Sequence, residues 1–177
     1  MSNLTIDFLK KKLPTSTALQ RQDWAKAIVL VHFDLLSLKN LFLDDYKVST
    51  RLSWLLTDIG IVDPNYLKKF LVEFYKLKTQ ITFYNFDLNF IKYWHVCGIP
   101  DQQEALAMNI CFDLLKSNKV NVSGKRYAIL GLIELYKKYP EIKTELLCCL
   151  ENELQHPSKA FVVFVGKQIL MIEKTNN

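Results

Sequence analysis

Prolines mark this chain at a near-regular interval. Pro64, Pro100 and Pro140 lie 36 and 40 residues apart, and each stands at the head of an apolar stripe with helical spacing. Gly60 and Gly98, 38 residues apart, sit where helices are expected to close. Proline suits the first turn of a helix, where its missing N–H is no loss, and glycine suits the position just past the last turn. Helix, short turn, helix, recurring at roughly 38 residues, is the pattern of stacked helical pairs. An ordinary helical bundle whose prolines simply mark helix starts stays open as the alternative.

The clearest copy is VSTRLSWLLTDIG, where Val48, Leu52, Leu55, Leu56 and Ile59 recur at i, i+4, i+7, i+8 and i+11. That spacing puts them on one side of a helix, and Gly60 is expected to stop it. Leu67, Phe70, Leu71, Phe74 and Leu77 draw the stripe of the next helix, around 65–79. Upstream, residues 1–16 read as a tail or a short helix ended by Pro14, with Thr15, Ser16 or Thr17 as candidate caps for the helix after it. A helix from Ala18 to His32 is expected to bury Leu19, Trp24, Ala27, Ile28 and Val31. A short one after Asp34 should bury Leu35, Leu38, Leu41 and Phe42. The aromatic stretch ITFYNF has strand-like composition, but a lone strand between helices would lack a partner.

Downstream, a helix is expected over 87–97, with Gly98 as its stop. The helix over 102–116 carries Ala105, Met108, Cys111, Phe112 and Leu115. Another helix runs from 123 to 139. The helix over 141–155 carries Ile142, Leu146, Leu147, Leu150 and Leu154. After Pro157 the last stripe is Phe161, Phe164, Val165, Ile169 and Ile172.

Composition narrows the function classes. With 177 residues, half of them hydrophobic, the chain can bury one sizeable core, and residues 17–177 read as a single helical domain. A net charge of +5 tolerates an anionic partner without the dense basic signature of a dedicated nucleic-acid binder. Cys97, Cys111, Cys148 and Cys149 form no CxxC pair, which points to reduced thiols. The start, MSNLTIDFLKKKLP, reverses the order of a secretory signal, and the longest apolar runs fall short of a bilayer span. A soluble cytoplasmic protein with no membrane contact is the expectation.

DYKVSTRLSWLLTDIG (45–60) and NVSGKRYAILGLIELYKKYP (121–140) resemble the DxxVRxxAxxxLG pattern of HEAT and armadillo-like repeats. RLSWLL and RYAILG, 75 residues apart, are close to two periods. The likeness covers roughly residues 17–174, and the copies at 88–98 and 158–170 depart from the pattern. It implies an all-α fold, a right-handed α-α superhelix (a HEAT-like solenoid) of about four helical pairs. It also implies binding on the concave face, which the second helix of each pair lines, and no reaction.

Candidate chemistry is sparse. His32, His95 and His156 have no metal-spaced neighbours, and His95 with Cys97 and Cys111 falls short of a four-ligand zinc set. No cofactor, metal or catalytic set is expected. Lys47, Arg51, Trp54 and Asp58 share one flank of the Val48 helix, away from its apolar stripe. If second helices line a common face, Lys92, Lys125, Arg126, Lys159 and Lys167 extend Arg51 into a basic strip. An arginine beside a tryptophan is a common anchor for an acidic peptide or a nucleic acid. The competing structural role has Arg51 and Arg126 bridging to carboxylates such as Asp45, Asp58 or Asp113, with Trp54 as packing.

The first functional expectation is a non-catalytic scaffold that holds a protein or peptide, with Lys47, Arg51, Trp54, Asp58, Lys92, Arg126 and Lys159 at the partner face. The alternative is a DNA-binding module similar to HEAT-like alkylpurine DNA glycosylases, which use Trp, Asp and Arg on the concave face. Lyase chemistry of the adenylosuccinate lyase type finds no support, because the Ser-rich signature loop and its catalytic His and Ser context are absent.

Overall fold

The structure is a computed structural model that describes residues 4–81 and 86–174. All regular secondary structure among them is helical, so most of ITFYNF, at 82–85, lies outside the described residues. The chain divides into two compact units, Met1–Gln103 and Glu104–Asn177.

The first unit opens with α1 (Ile6–Lys12), capped by Thr5, whose side-chain oxygen accepts from the Phe8 N–H. A 3-10 turn through Pro14 leads to α2 (Ala18–Leu30). Thr17 and Gln20 form a reciprocal capping box there, so Thr17 is the cap among the three candidates. At the other end of α2, the His32 N–H donates to the Val29 carbonyl and the Phe33 N–H to the Ile28 carbonyl. This is a Schellman closure, and it places His32 at φ 51°, a left-handed position usually taken by glycine. A 3-10 segment, Leu35–Phe42, buries Leu35, Leu38, Leu41 and Phe42 as expected.

Helix α3 (Tyr46–Val62) begins at Asp45, whose carboxylate accepts from the Lys47 and Val48 N–H groups. All five residues of its expected stripe are at most 2% exposed. Gly60 does not stop it. The helix runs two residues further, to Val62, and Asp63 both closes α3 and caps α4 (Pro64–Tyr75) by accepting from the Tyr66 N–H. Pro64 takes the first helical position, where a proline costs nothing. After a 3-10 turn and the undescribed residues comes α5 (Phe86–Cys97), ended by Gly98 at φ 75°.

Helices α3 and α5 run side by side in the same direction. The Tyr93 hydroxyl donates to the Ser53 carbonyl at 2.9 Å, and one to two turns on, Gly60 faces Cys97 and Val96. A Cβ at Gly60 would lie 2.9 Å from the Cys97 Sγ and 3.0 Å from a Leu67 methyl. Glycine is there because the helix surfaces meet, and that is why a residue taken for a stop lies inside the helix. At the far end of the unit, the Trp94 Nε1–H donates to the Gln103 side-chain carbonyl, and the Gln103 amide donates to the Leu71 carbonyl.

The buried face of α2 departs from expectation. Leu19 and Val31 are 67% and 59% exposed, while Arg21, Ala25 and Ile28 point inward. The partners of Arg21 come from outside its own helix, from Ser16 and Asp58.

In the second unit, α6 (Glu104–Lys116) and α7 (Val122–Lys138) pack antiparallel. Gly131 of α7 faces the Cys111 Sγ of α6, and Glu104 accepts from the Lys138 ammonium and the Tyr139 hydroxyl. Ala105, expected inside, faces out, and Ala107 and Ile110 take its place. Asn121 caps α7. Pro140 opens a short 3-10 turn that buries Ile142 and leads into α8 (Lys143–Glu153), which buries Leu146 and Leu150, while Leu154 just beyond it is 37% exposed. Helix α9 (Lys159–Lys174) buries Phe161, Val165 and Ile172. No helix among the described residues is long and apolar enough to cross a membrane.

Leu55 is fully buried at the centre of α3. Leu55→Ala is expected to destabilise the protein by about 2–5 kcal/mol through lost burial and the cavity left behind. Thermal and urea unfolding measure it; an unchanged midpoint would mean that α3 does not present this stripe to a core.

Candidate functional site

Helices α2 and α3 run antiparallel, so the start of α2 meets the second half of α3. Arg21 is buried at that seam. Its Nη1 donates to the Ser16 carbonyl at 3.1 Å and approaches the Ser16 hydroxyl at 3.4 Å. Its Nε lies 3.5 Å from the Asp58 Oδ2, an ionic contact in which neither atom makes a well-formed hydrogen bond. The same guanidinium sits 5.1 Å from the centre of the Trp54 ring, and that of Arg51, one helical turn before Trp54, is at 4.4 Å. Trp54 is 39% exposed and Arg51 half-buried. The result is a tryptophan at the surface within cation–π range of two arginines, backed by an inward-turned aspartate. Such contacts contribute about 0.5–2 kcal/mol each, more as water is excluded.

Burial governs the titration of the inner pair. It raises the Asp58 carboxyl above the ordinary range, against the pull of Arg21. It also lowers the Arg21 guanidinium, assisted by repulsion from Arg51 and opposed by Asp58. Both ions give up hydration that their mutual attraction only partly restores.

Of the flank expected on α3, Arg51 and Trp54 touch, Asp58 turns toward Arg21, and Lys47 is exposed in the first turn. Arg51 and Arg126 make no ion pair among the described residues. Asp45 is occupied in capping α3, and each arginine lies over an aromatic ring, with Arg126 4.4 Å from that of Phe164 on α9. Lys92 is half-buried on α5, and burial lowers its ammonium pKa. In the second unit Arg126 and Lys159 are exposed. Lys125, expected in the basic strip, is instead 4% exposed and paired with Glu153, tying α7 to α8.

Arg21 is the member that sequence reasoning missed. Its signal was the i, i+4, i+7 alignment of Arg21, Ala25 and Ile28, which is easily discarded when its first residue is charged.

Among the described residues no group of three or more His, Cys, Asp or Glu is placed to hold a metal ion. Cys97 and Cys111 are buried, and burial pushes each thiol up to about 12. Cys148 is exposed. No protein-family model matches the chain, and no curated protein or solved structure is detectably similar to it.

This chemistry has two measurable consequences. Because the thiolate is the reactive form, Cys97 and Cys111 are expected to label slowly with a thiol reagent near neutral pH, while Cys148 labels readily. Mass mapping of the sites checks it, and fast labelling of both buried thiols would contradict the packing. For Asp58, a raised folded pKa means that its contribution to stability is greatest below the unfolded carboxylate value and is lost as pH rises through the folded value. The stability of the wild type relative to Asp58→Asn should therefore fall as pH rises from about 3 to 7. Urea unfolding across that range measures it; a difference moving the other way would mean that the attraction of Arg21 outweighs burial.

Proposed function

We propose that this chain is a non-catalytic binding protein, with Arg51 and Trp54 on α3 as the anchor for a protein or peptide partner that carries acidic groups. The single observation behind the proposal is the 39%-exposed Trp54 ring with the Arg51 guanidinium 4.4 Å from its centre. Tryptophan and arginine are the residue types most often found carrying binding energy at interfaces. A half-buried guanidinium over an indole keeps donor groups available for a carboxylate. Lys47, one turn earlier and exposed, adds positive charge beside it. A HEAT-like reading of the helical pairs belongs to the same proposal. Its support is the parallel course of α3 and α5, with contacts offset by close to one sequence period.

A DNA glycosylase-type module is the alternative, using the same Arg51, Trp54 and Asp58. It would need Asp58 open to a substrate, whereas Oδ2 is buried against Arg21.

Duplex DNA, plain and alkylated, separates the two. Each phosphate contact releases counterions and steepens the salt dependence of binding by about 0.9 log units per tenfold change in salt. The binding protein is expected to hold duplex DNA weakly at physiological salt, to release no alkylated base, and to change little in either respect on Arg51→Ala. Fluorescence anisotropy and a base-release assay measure this. Tight binding with a slope reduced by about 0.9 on losing Arg51, or base release abolished in Asp58→Asn, would overturn the proposal. Its positive counterpart is a partner recovered from the native cell whose binding falls in both Arg51→Ala and Trp54→Ala while the variants remain folded.

A further inference from the structure

Helix α9 buries one side and leaves a patterned opposite side exposed. Val163 and Leu170 are 58% and 56% exposed, and Lys159 and Glu173 are exposed as well. With Gly166 between them, these residues run 159, 163, 166, 170 and 173, a spacing of 4, 3, 4 and 3. Alternating steps of four and three make the seam along which two helices pack. Gly166, near the middle of α9, is a poor helix former, and a Cβ built on it would meet nothing within 4 Å. Unlike Gly60 and Gly131, it therefore has no explanation in the packing of this chain.

We infer that this face binds a second copy of the same chain, α9 against α9 in antiparallel orientation, with the two-fold axis at Gly166. Charge decides both the occupant and the direction. Turning the helix over about Gly166 sets Lys159 opposite Glu173 of the other copy, and the symmetry repeats that pair at the other end. Val163 and Leu170 then fall on either side of the glycine crossing, where absence of a side chain allows close approach. A parallel pairing would set lysine on lysine and glutamate on glutamate. The seam is thus complementary to itself in one orientation only, which is what a two-fold interface requires. A single pair of 16-residue helices is small for an interface, so the dimer should be weak and visible at high protein concentration.

Sedimentation equilibrium over a wide concentration range tests this with the full chain. The wild type is expected to show a reversible monomer–dimer equilibrium. Gly166→Glu fills open space in the monomer and improves helix propensity, so its melting temperature should hold or rise while the dimer is lost. Lys159→Glu and Glu173→Lys should each weaken the dimer by at least about fivefold, and the double exchange should restore it, because both pairs re-form with reversed sign. A wild type that is monomeric at every concentration would overturn the second copy as occupant and leave the face to a different protein. A dimer that persists in Gly166→Glu, or single exchanges that the double one does not rescue, would overturn the antiparallel seam.

Discussion

Helix α3 is required on three sides at once, and the first unit is built around satisfying all of them. Its five apolar stripe residues are essentially removed from water, and α2, α4 and α5 each take part of that surface. A helix buried so widely has little room left for polar groups. Ser49 and Ser53 solve this locally: the Ser53 hydroxyl returns its hydrogen to the Ser49 carbonyl, and Tyr93 from α5 supplies the donor for the Ser53 carbonyl. Buried hydroxyls satisfied in this way let α3 stay central without stranding a donor. Between its end turns α3 keeps one residue exposed, Trp54, with half-buried Arg51 one turn before it.

Close approach of helices is achieved in both units by the same pair of residue types. Gly60 lies under the Cys97 Sγ where α3 meets α5, and Gly131 lies under the Cys111 Sγ where α6 meets α7. A glycine removes the Cβ, and a polarisable sulfur fills the shallow groove it leaves without branching. The match also accounts for the inertness expected of these thiols, since an apolar seam withholds the solvation a thiolate would need. The cost in helix propensity at each glycine is about 1 kcal/mol, and close packing along the seam offsets it.

Much of the fold was legible because it depends on short-range rules. Pro64 and Pro140 in first turns, Thr17 among the candidate caps, and stripes of Leu, Ile and Phe are local in sequence, and the structure places them as the spacing requires, whereas Pro100 stands just ahead of its 3-10 turn. Two features were not local. Gly60 reads as a terminator because the residue that makes it a contact point, Cys97, is 37 positions away. The face of α2 was misjudged because hydrophobicity alone favours Leu19 and Val31. Burying Arg21 becomes tolerable only when the Ser16 carbonyl and Asp58 are brought to it. For the candidate site, the co-location of Arg51 with Trp54 was visible at helical spacing, whereas the second arginine at the same ring was not.

That second arginine changes what the first can do. Two guanidinium groups at one indole repel each other, and Arg21 answers by pairing inward with Asp58, at the expense of hydration on both partners. A buried pair of this kind is a weak source of stability, but removing one partner would leave the other as an uncompensated charge. Its effect is therefore mainly positional, holding the start of α2 against α3 and fixing one side of Trp54. With Arg21 and Asp58 occupied by each other, Arg51 is the guanidinium at Trp54 that still reaches solvent. On the proposed reading, a partner approaching α3 would meet Arg51 with Lys47 one turn before it, and the exposed Trp54 ring already in contact with Arg51. Binding there would not have to order either side chain first, so less conformational entropy is lost than for an arginine and a tryptophan free to move.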